Sequence, residues 1–280
     1  MRPWILAEQN YGDLKHQPIE VAVLPTGATE PHNLHLPYGT DTYQVEALAG
    51  GACERAWRAG HRVIMLPPIP YGTETNLLPY PLAMNLHPST LALVLKDLIA
   101  SLAAQQIRKL VIVNGHGGND FKPTLRELQY QTPVHLFLCD WFKGLSADLQ
   151  KQIFEAPGDH AGEMETSLIM HCCPDLVQFD PETGRMAADA GSVRSTRFPA
   201  VDAGWISLTR PFSLLTTNSG VGNPHPATAE KGARLMSAMI DRLSEFLIDL
   251  ARTPIDPEFP YAPRAADFAD QREPDSTTGL

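Results

Sequence analysis

Three short segments of this chain gather carboxylates and imidazoles at spacings suited to holding a cation. The first, residues 26–41 (TGATEPHNLHLPYGTD), contains Glu30, His32, His35 and Asp41. Glu30 and His32 occupy alternate positions of an extended stretch, which puts both side chains on one side. Carboxylate with imidazole is a ligand mixture for Zn²⁺, Mn²⁺ or Fe²⁺. The second segment, residues 114–119 (NGHGGN), sets His116 among glycines that allow a sharp turn and leave room beside the ring. The third, residues 158–167 (GDHAGEMETS), holds His160, Glu163 and Glu165. Read as a helix, Ala161, Met164, Glu165, Leu168, Ile169 and Cys172 form one apolar stripe with Glu165 in its middle. A buried carboxylate without a cation is costly, so Glu165 is a ligand candidate. Glu163, two residues away, points elsewhere, beside the site or at the surface.

Each of these residues also has an ordinary structural reading. Glu30 could cap a helix. Asp41 follows Thr40 at a helix start, where an acid favours the dipole. His116 could be structural, Glu165 could pair with an arginine, and His35 and His160 divide between site and packing roles. What favours a shared site is the elements that carry them. Apolar runs at 19–25, 63–67, 110–113 and 134–139 read as strands buried on both faces. Amphipathic stretches at 41–59, from Ser89 to 104, at 120–131, 160–172 and 227–251 read as helices, and a further strand is expected near 205–208. The alternation predicts an α/β domain with a mainly parallel sheet. In such sheets ligands bind beyond the carboxyl ends of the strands, where the first two segments fall.

The 280 residues carry a net charge of −10, with 43% hydrophobic and 19% charged residues, an ordinary globular composition. No basic cluster breaks the acidic balance, which argues against nucleic acid or an anionic membrane surface as partner. No apolar run reaches the ~20 residues of a membrane span. The four cysteines form no CxxC pair, so a reducing, cytoplasmic setting is expected. One domain is predicted over residues 1–252, with residues 253–280 as an arm or tail. The proline-rich stretch 67–88 could roof the site or form an intersubunit contact.

Taken in order, the three segments resemble the creatininase family of metal-dependent amidohydrolases. Glu30-x-His32, His35-Leu36-Pro37, Thr40-Asp41, Asn114-Gly115-His116 and His160-x-Gly162-Glu163-x-Glu165-Thr166-Ser167 match its motifs. The late run Gly220 to Pro224, followed by Ala227 to Gly232, matches its Gly-x-Pro loop and helix start. The resemblance implies a layered α/β/α fold and two divalent metal ions per subunit, zinc first, with manganese or iron as the other options. It implies Asp41 as the bridge, Glu30 and His116 on one metal, His32 and Glu165 on the other. It also implies His160 as proton donor, oriented by Glu163, and a homo-oligomer, with hexamers common in the family. Pro31 and Asn33 stand where the family usually has Gln and Gly. Gly117-Gly118 replace the Tyr-Glu of creatinine-hydrolysing members, which moves the missing ligand onto Glu165. The Gly-Gly form resembles members that cleave formamides or peptide bonds.

The expected activity is therefore hydrolysis of an amide, cyclic amide or formamide C–N bond of a small molecule by a hydroxide bridging two metals. The rivals are a two-metal phosphoesterase, for which Arg194, Arg197 and Arg210 could hold phosphate, and a metal-free binding or assembly protein on the same fold.

Overall fold

The computed structural model describes residues 1–156 and 158–262. Strands β1 (Val21–Thr26), β2 (Val63–Met65), β3 (Lys109–Asn114) and β4 (His135–Asp140) form a sheet in the order β2-β1-β3-β4. All three pairings are parallel. The helices are α1 (Tyr11–Leu14), α2 (Thr40–Arg58), α3 (Pro88–Ala104), α4 (Phe121–Leu128), α5 (Ala147–Ile153), α6 (Glu163–Cys172), α7 (Pro199–Asp202) and α8 (Ala229–Arg252).

The period of two along each strand divides the core into two layers. Val21, Val23, Val111 and Val113 pack with Val45 and Leu48 of α2, Leu168 of α6, and Leu235 and Met239 of α8. Their neighbours Ala22, Leu24, Leu110 and Ile112 face the other way, onto Leu91 and Leu95 of α3 and Phe121 of α4. This is the layered α/β/α architecture with a parallel central sheet that the apolar runs predict. The chain leaves β1 for β2 on one side and returns to β3 on the other. The crevice between the carboxyl ends of β1 and β3 is thus the switch point where open sheets bind ligands.

One local cap and two long-range contacts fix α8 behind this crevice. Thr228 caps α8, its side chain accepting from Lys231 N at 3.2 Å. At the other end of α8, Lys109 Nζ reaches from β3 and donates to the Leu250 and Thr253 carbonyls, each at 2.6 Å. Gly232 lies against the backbone of α6, where a Cβ would overlap the Ser167 carbonyl.

Two expectations change. No strand forms at 205–208: Trp205 is 81% exposed, and apolar composition alone supplies no partner strand. The helix expected over 160–172 begins at Glu163, because Ala161 adopts φ 54° and cannot belong to it. Within the stretch expected as an arm or tail, Phe259 lies edge-on to His135 of β4 at 4.6 Å; residues 263–280 lie outside the described residues. Among the described residues no helix is long and apolar enough to cross a membrane.

Candidate metal centre

Asp41 opens α2 against the loop that follows β1, and its carboxylate is the middle of the site. Asp41 Oδ1 lies 3.1 Å from His32 Nε2, and Oδ2 lies 3.0 Å from His116 Nδ1. Each oxygen therefore faces a different imidazole. Glu30 Oε1 is 3.1 Å from His116 Nδ1 and 3.8 Å from His32 Nε2. Glu165 reaches in from the first turn of α6, with Oε1 3.9 Å from His32 Nε2. The candidate ligand atoms fall into groups whose members lie within 4.8 Å of one another. One is Glu30, Asp41 and His116, another is His32, Asp41 and Glu165, and a third is Glu30, His32 and His160.

The outer nitrogen of each ring is held by a carbonyl, which can only accept. His32 Nδ1–H donates to Glu30 O at 3.1 Å, His116 Nε2–H to Thr73 O at 3.1 Å, and His160 Nε2–H to Pro31 O at 2.8 Å. These bonds fix the rings so that His32 Nε2, His116 Nδ1 and His160 Nδ1 face the carboxylates.

Asparagines tie the loops together. Asn114, the last residue of β3, donates to the His116 carbonyl at 3.0 Å and to Asp140 Oδ1 at 2.8 Å. Its Oδ1 accepts from His116 N at 3.2 Å. Asn119 donates to Gly27 O at 3.3 Å and accepts from Thr73 N at 3.0 Å, joining the loops after β1, β2 and β3. Asn33 adopts φ 55°, a conformation asparagine tolerates, and its N–H donates to Ser219 Oγ at 3.0 Å. Ala161 takes the same left-handed region and aims its N–H at Glu165 Oε2.

Burial disfavours charge here, yet opposite charges outweigh it at three groups. Burial pushes His32 down, but the carboxylates of Asp41, Glu165 and Glu30 carry it up to about 10. His116 rises well above its ordinary value by the same contest, with Glu30 and Asp41 opposing burial. Asp41 is held below the usual carboxylate range against its burial by the two imidazoles. Glu165 is pushed up to about 7, chiefly by burial. Without metal, protons on the imidazoles supply the positive charge that these acids need. Glu30 Oε2 and Asp41 Oδ2 are buried without a well-formed hydrogen bond. Convergent carboxylates with unspent lone pairs, facing the inner nitrogens of fixed imidazoles whose protons a cation would displace, fit divalent cations.

Glu30, His32, Asp41, His116 and Glu165 are thus brought together, and His160 stands beside them. Its ring centroid is 4.1 Å from that of His32, and its Nδ1 is 3.7 Å from Glu30 Oε1. His35 turns away to Thr166 Oγ1 at 2.8 Å, and burial pushes it down to about 4. Glu163 departs from expectation. It is fully buried, and its carboxylate accepts from Glu155 N at 2.8 Å, Ala156 N at 2.6 Å and Lys231 Nζ at 2.6 Å. Those partners fasten the loop before α6 to α8, while the Pro31 carbonyl, not Glu163, holds His160. Glu163→Ala should therefore lower stability by about 2 kcal/mol, from lost charge-assisted hydrogen bonds, in chemical denaturation. Turnover per folded molecule should stay near wild type; a large loss of kcat with stability intact would restore Glu163 to the chemistry.

A cavity of about 450 Å³ opens on this cluster. Leu77, Phe142 and Phe212 give it apolar walls, and Asn76, Asp159 and Lys143 add polar groups. Leu77 and Asn76 come from the 67–88 loop, which does roof the site. The same loop brings in Glu74, a buried acid that sequence reasoning missed. A proline-rich loop has no periodicity to reveal which way a residue points, so no signal marked it. Burial pushes Glu74 up to about 8.

The geometry agrees with the comparisons. The sequence profile of the creatininase family, described as creatinine amidohydrolase, matches residues 7–247. A mycofactocin precursor peptide peptidase from Mycolicibacterium smegmatis is 27% identical over 229 residues, covering 81% of this chain and 83% of the relative. A Bacteroides fragilis crystal structure assigned as a creatinine amidohydrolase superposes with TM-score 0.82 at 33% identity, covering 91% of this chain and 99% of that one. A manganese form of creatininase shares the fold with TM-score 0.69 at 22% identity, covering 89% of this chain and 99% of that one. Matched by the family profile over most of its length, with the family's fold beneath its acid and histidine cluster, the chain belongs to the creatininase family and is a hydrolase of carbon–nitrogen bonds.

Proposed function

We propose that the protein is a two-cation amidohydrolase acting on a small molecule through an amide, cyclic amide or formamide bond. The observation that carries this reading is the division of Asp41 between two imidazoles, with Oδ1 toward His32 and Oδ2 toward His116. Glu30, His116 and Asp41 would hold one cation, and His32, Glu165 and Asp41 the other. Two divalent cations bound there would acidify a water toward neutral pH and polarise the scissile carbonyl.

The side chains do the rest. His160 Nδ1 faces the cluster with Nε2 tied to Pro31, so it takes up a proton at Nδ1 and returns it to the leaving nitrogen. Burial lowers its affinity for that proton, which suits a group that must give it up. Leu77, Phe142 and Phe212 exclude water and orient an apolar part of the substrate. Among the residues lining the cavity, Lys143 is the one lysine or arginine, which disfavours phosphoesters; Arg194, Arg197 and Arg210 do not line it. The M. smegmatis relative's name extends the substrate class to peptides. The same reading takes zinc as the first metal, residues 1–252 as one domain, residues 253–280 as an arm or tail, a homo-oligomer, with a hexamer as one option, and a cytoplasmic setting.

The test starts with metal analysis of protein purified without chelator, and proceeds through chelation and re-addition of Zn²⁺, Mn²⁺ or Fe²⁺. Cyclic amides, formamides, short peptides and p-nitrophenyl phosphate are screened at each stage. About two equivalents of metal, with amide hydrolysis lost on chelation and restored on reloading, is the expected result. Hydrolysis of the phosphate ester alone, or activity untouched by complete metal removal, would overturn it.

A further inference from the structure

The cavity roof contains an acid that the chemistry above does not use. Glu74 is 0% exposed, and neither of its carboxyl oxygens has a hydrogen-bond partner. A buried carboxyl left in this condition costs stability, so its position calls for a role. Its placement is fixed by its own backbone. Glu74 N–H donates to Asn85 Oδ1 at 2.9 Å, and Glu74 O accepts from Leu77 N at 2.9 Å. That turn directs the side chain inward, and Oε2 comes to 3.9 Å from His116 Nε2. This is the outer nitrogen of the ring, opposite the Nδ1 that faces Asp41 and Glu30.

The close approach depends on two glycines that clamp the ring. A Cβ at Gly72 would lie 2.9 Å from His116 Cδ2, and one at Gly118 would meet Nε2 and the Thr73 carbonyl. The backbone of residues 72–74 can therefore lie flat against the imidazole. Thr73 O takes the Nε2 proton at 3.1 Å, and the Glu74 carboxyl stands directly behind. Oxygen acceptors behind the N–H of a ligating imidazole make its other nitrogen a stronger donor and fix the ring plane.

We propose that Glu74 is a positioning residue for the His116 side of the centre, strengthening cation binding at His116 Nδ1 without touching the cation itself. The inference rests on the two-cation reading above. It assigns to the roof loop a part in metal affinity as well as in substrate enclosure.

The experiment compares wild type with Glu74→Gln and Glu74→Met, titrating chelated, full-length protein with Co²⁺ while following its visible spectrum and its melting temperature. Both variants should bind one of the two Co²⁺ equivalents roughly 10- to 100-fold more weakly, with a changed spectrum for that equivalent. The melting temperature of the metal-free variants should stay level or rise, because a buried unpaired carboxyl is gone. Glu74→Asp should recover part of the affinity. Wild-type affinity and spectrum in both variants would overturn the inference, as would a lowered metal-free melting temperature with unchanged Co²⁺ binding, which marks a packing group. His116→Asn separates this from the reading beneath it. If that variant keeps both equivalents, the metal centre itself is wrong; if it loses one while Glu74→Gln loses none, only the role of Glu74 falls.

Discussion

Replacing Asp41 with alanine is expected to abolish hydrolysis of any amide substrate, with a loss of at least about a thousandfold in kcat/KM. Two bound cations stabilise a transition state by several kcal/mol, and each ~1.4 kcal/mol is a tenfold change in rate. Because one Asp41 oxygen faces His32 and the other His116, a single substitution should remove both cations, not one. Asp41→Asn sharpens the point, since an amide keeps the size but offers a single acceptor oxygen. Metal content by mass spectrometry, measured beside turnover, decides the matter. A variant that retained two equivalents and wild-type turnover would remove Asp41 from the bridge. The metal-free protein gives a second readout. The Asp41 carboxylate is held below its ordinary value of 3.8 by His32 and His116. Its contribution to stability is therefore present above about pH 4 and lost as the pH falls through its folded value. Chelated Asp41→Asn should show a shallower loss of stability in acid than chelated wild type.

The largest stability effect is expected at Gly232→Ala, a position with no side chain in the site. Here α8 crosses α6 so closely that a Cβ would overlap the Ser167 carbonyl, with Leu168 N 3.0 Å away. Both obstacles are backbone, so no rotamer change relieves them and the helices must separate. Overpacking of this kind costs about 3 kcal/mol or more. Denaturant melts should report it as a lower midpoint with an unchanged slope. Separation also moves Glu165, three residues from Leu168 on the same helix, away from His32. Metal affinity should therefore fall in molecules that remain folded. A variant of unchanged midpoint would mean that the two helices meet less closely than described.

The sheet was legible because a parallel strand buried on both faces has nothing but apolar residues to show. The runs around Val21, Val63 and Leu110 are of this kind, whereas β4, at the sheet edge, is only half-buried. The expected strand at 205–208 shared that composition without a neighbour to pair with, and composition cannot supply a hydrogen-bond partner. The clustered acids and histidines were legible for a different reason. Glu30, His32 and Asp41 lie within a dozen residues, and the glycines around His116 announce a turn at a strand end. Helical period placed Glu165 toward the site. The same period turned Glu163 away from that face but could not say what it meets there, because its surroundings come from α8 and the preceding loop. Lys231 and Glu155, distant in sequence, determine that residue's fate. Glu74 was hidden by the same distance: only the folded loop brings it to His116.

The amide of Asn119 touches three connections that arise from separate strands, and the amide of Asn114 pins the turn that carries His116. The floor of the pocket is consequently one cross-braced unit, and none of its loops can drift alone. Freedom to diversify is left to the walls, where Leu77, Phe142 and Phe212 contribute shape. Among descendants of such a scaffold, new substrates would be won by recasting those walls, while the braced base passes unaltered from one chemistry to the next.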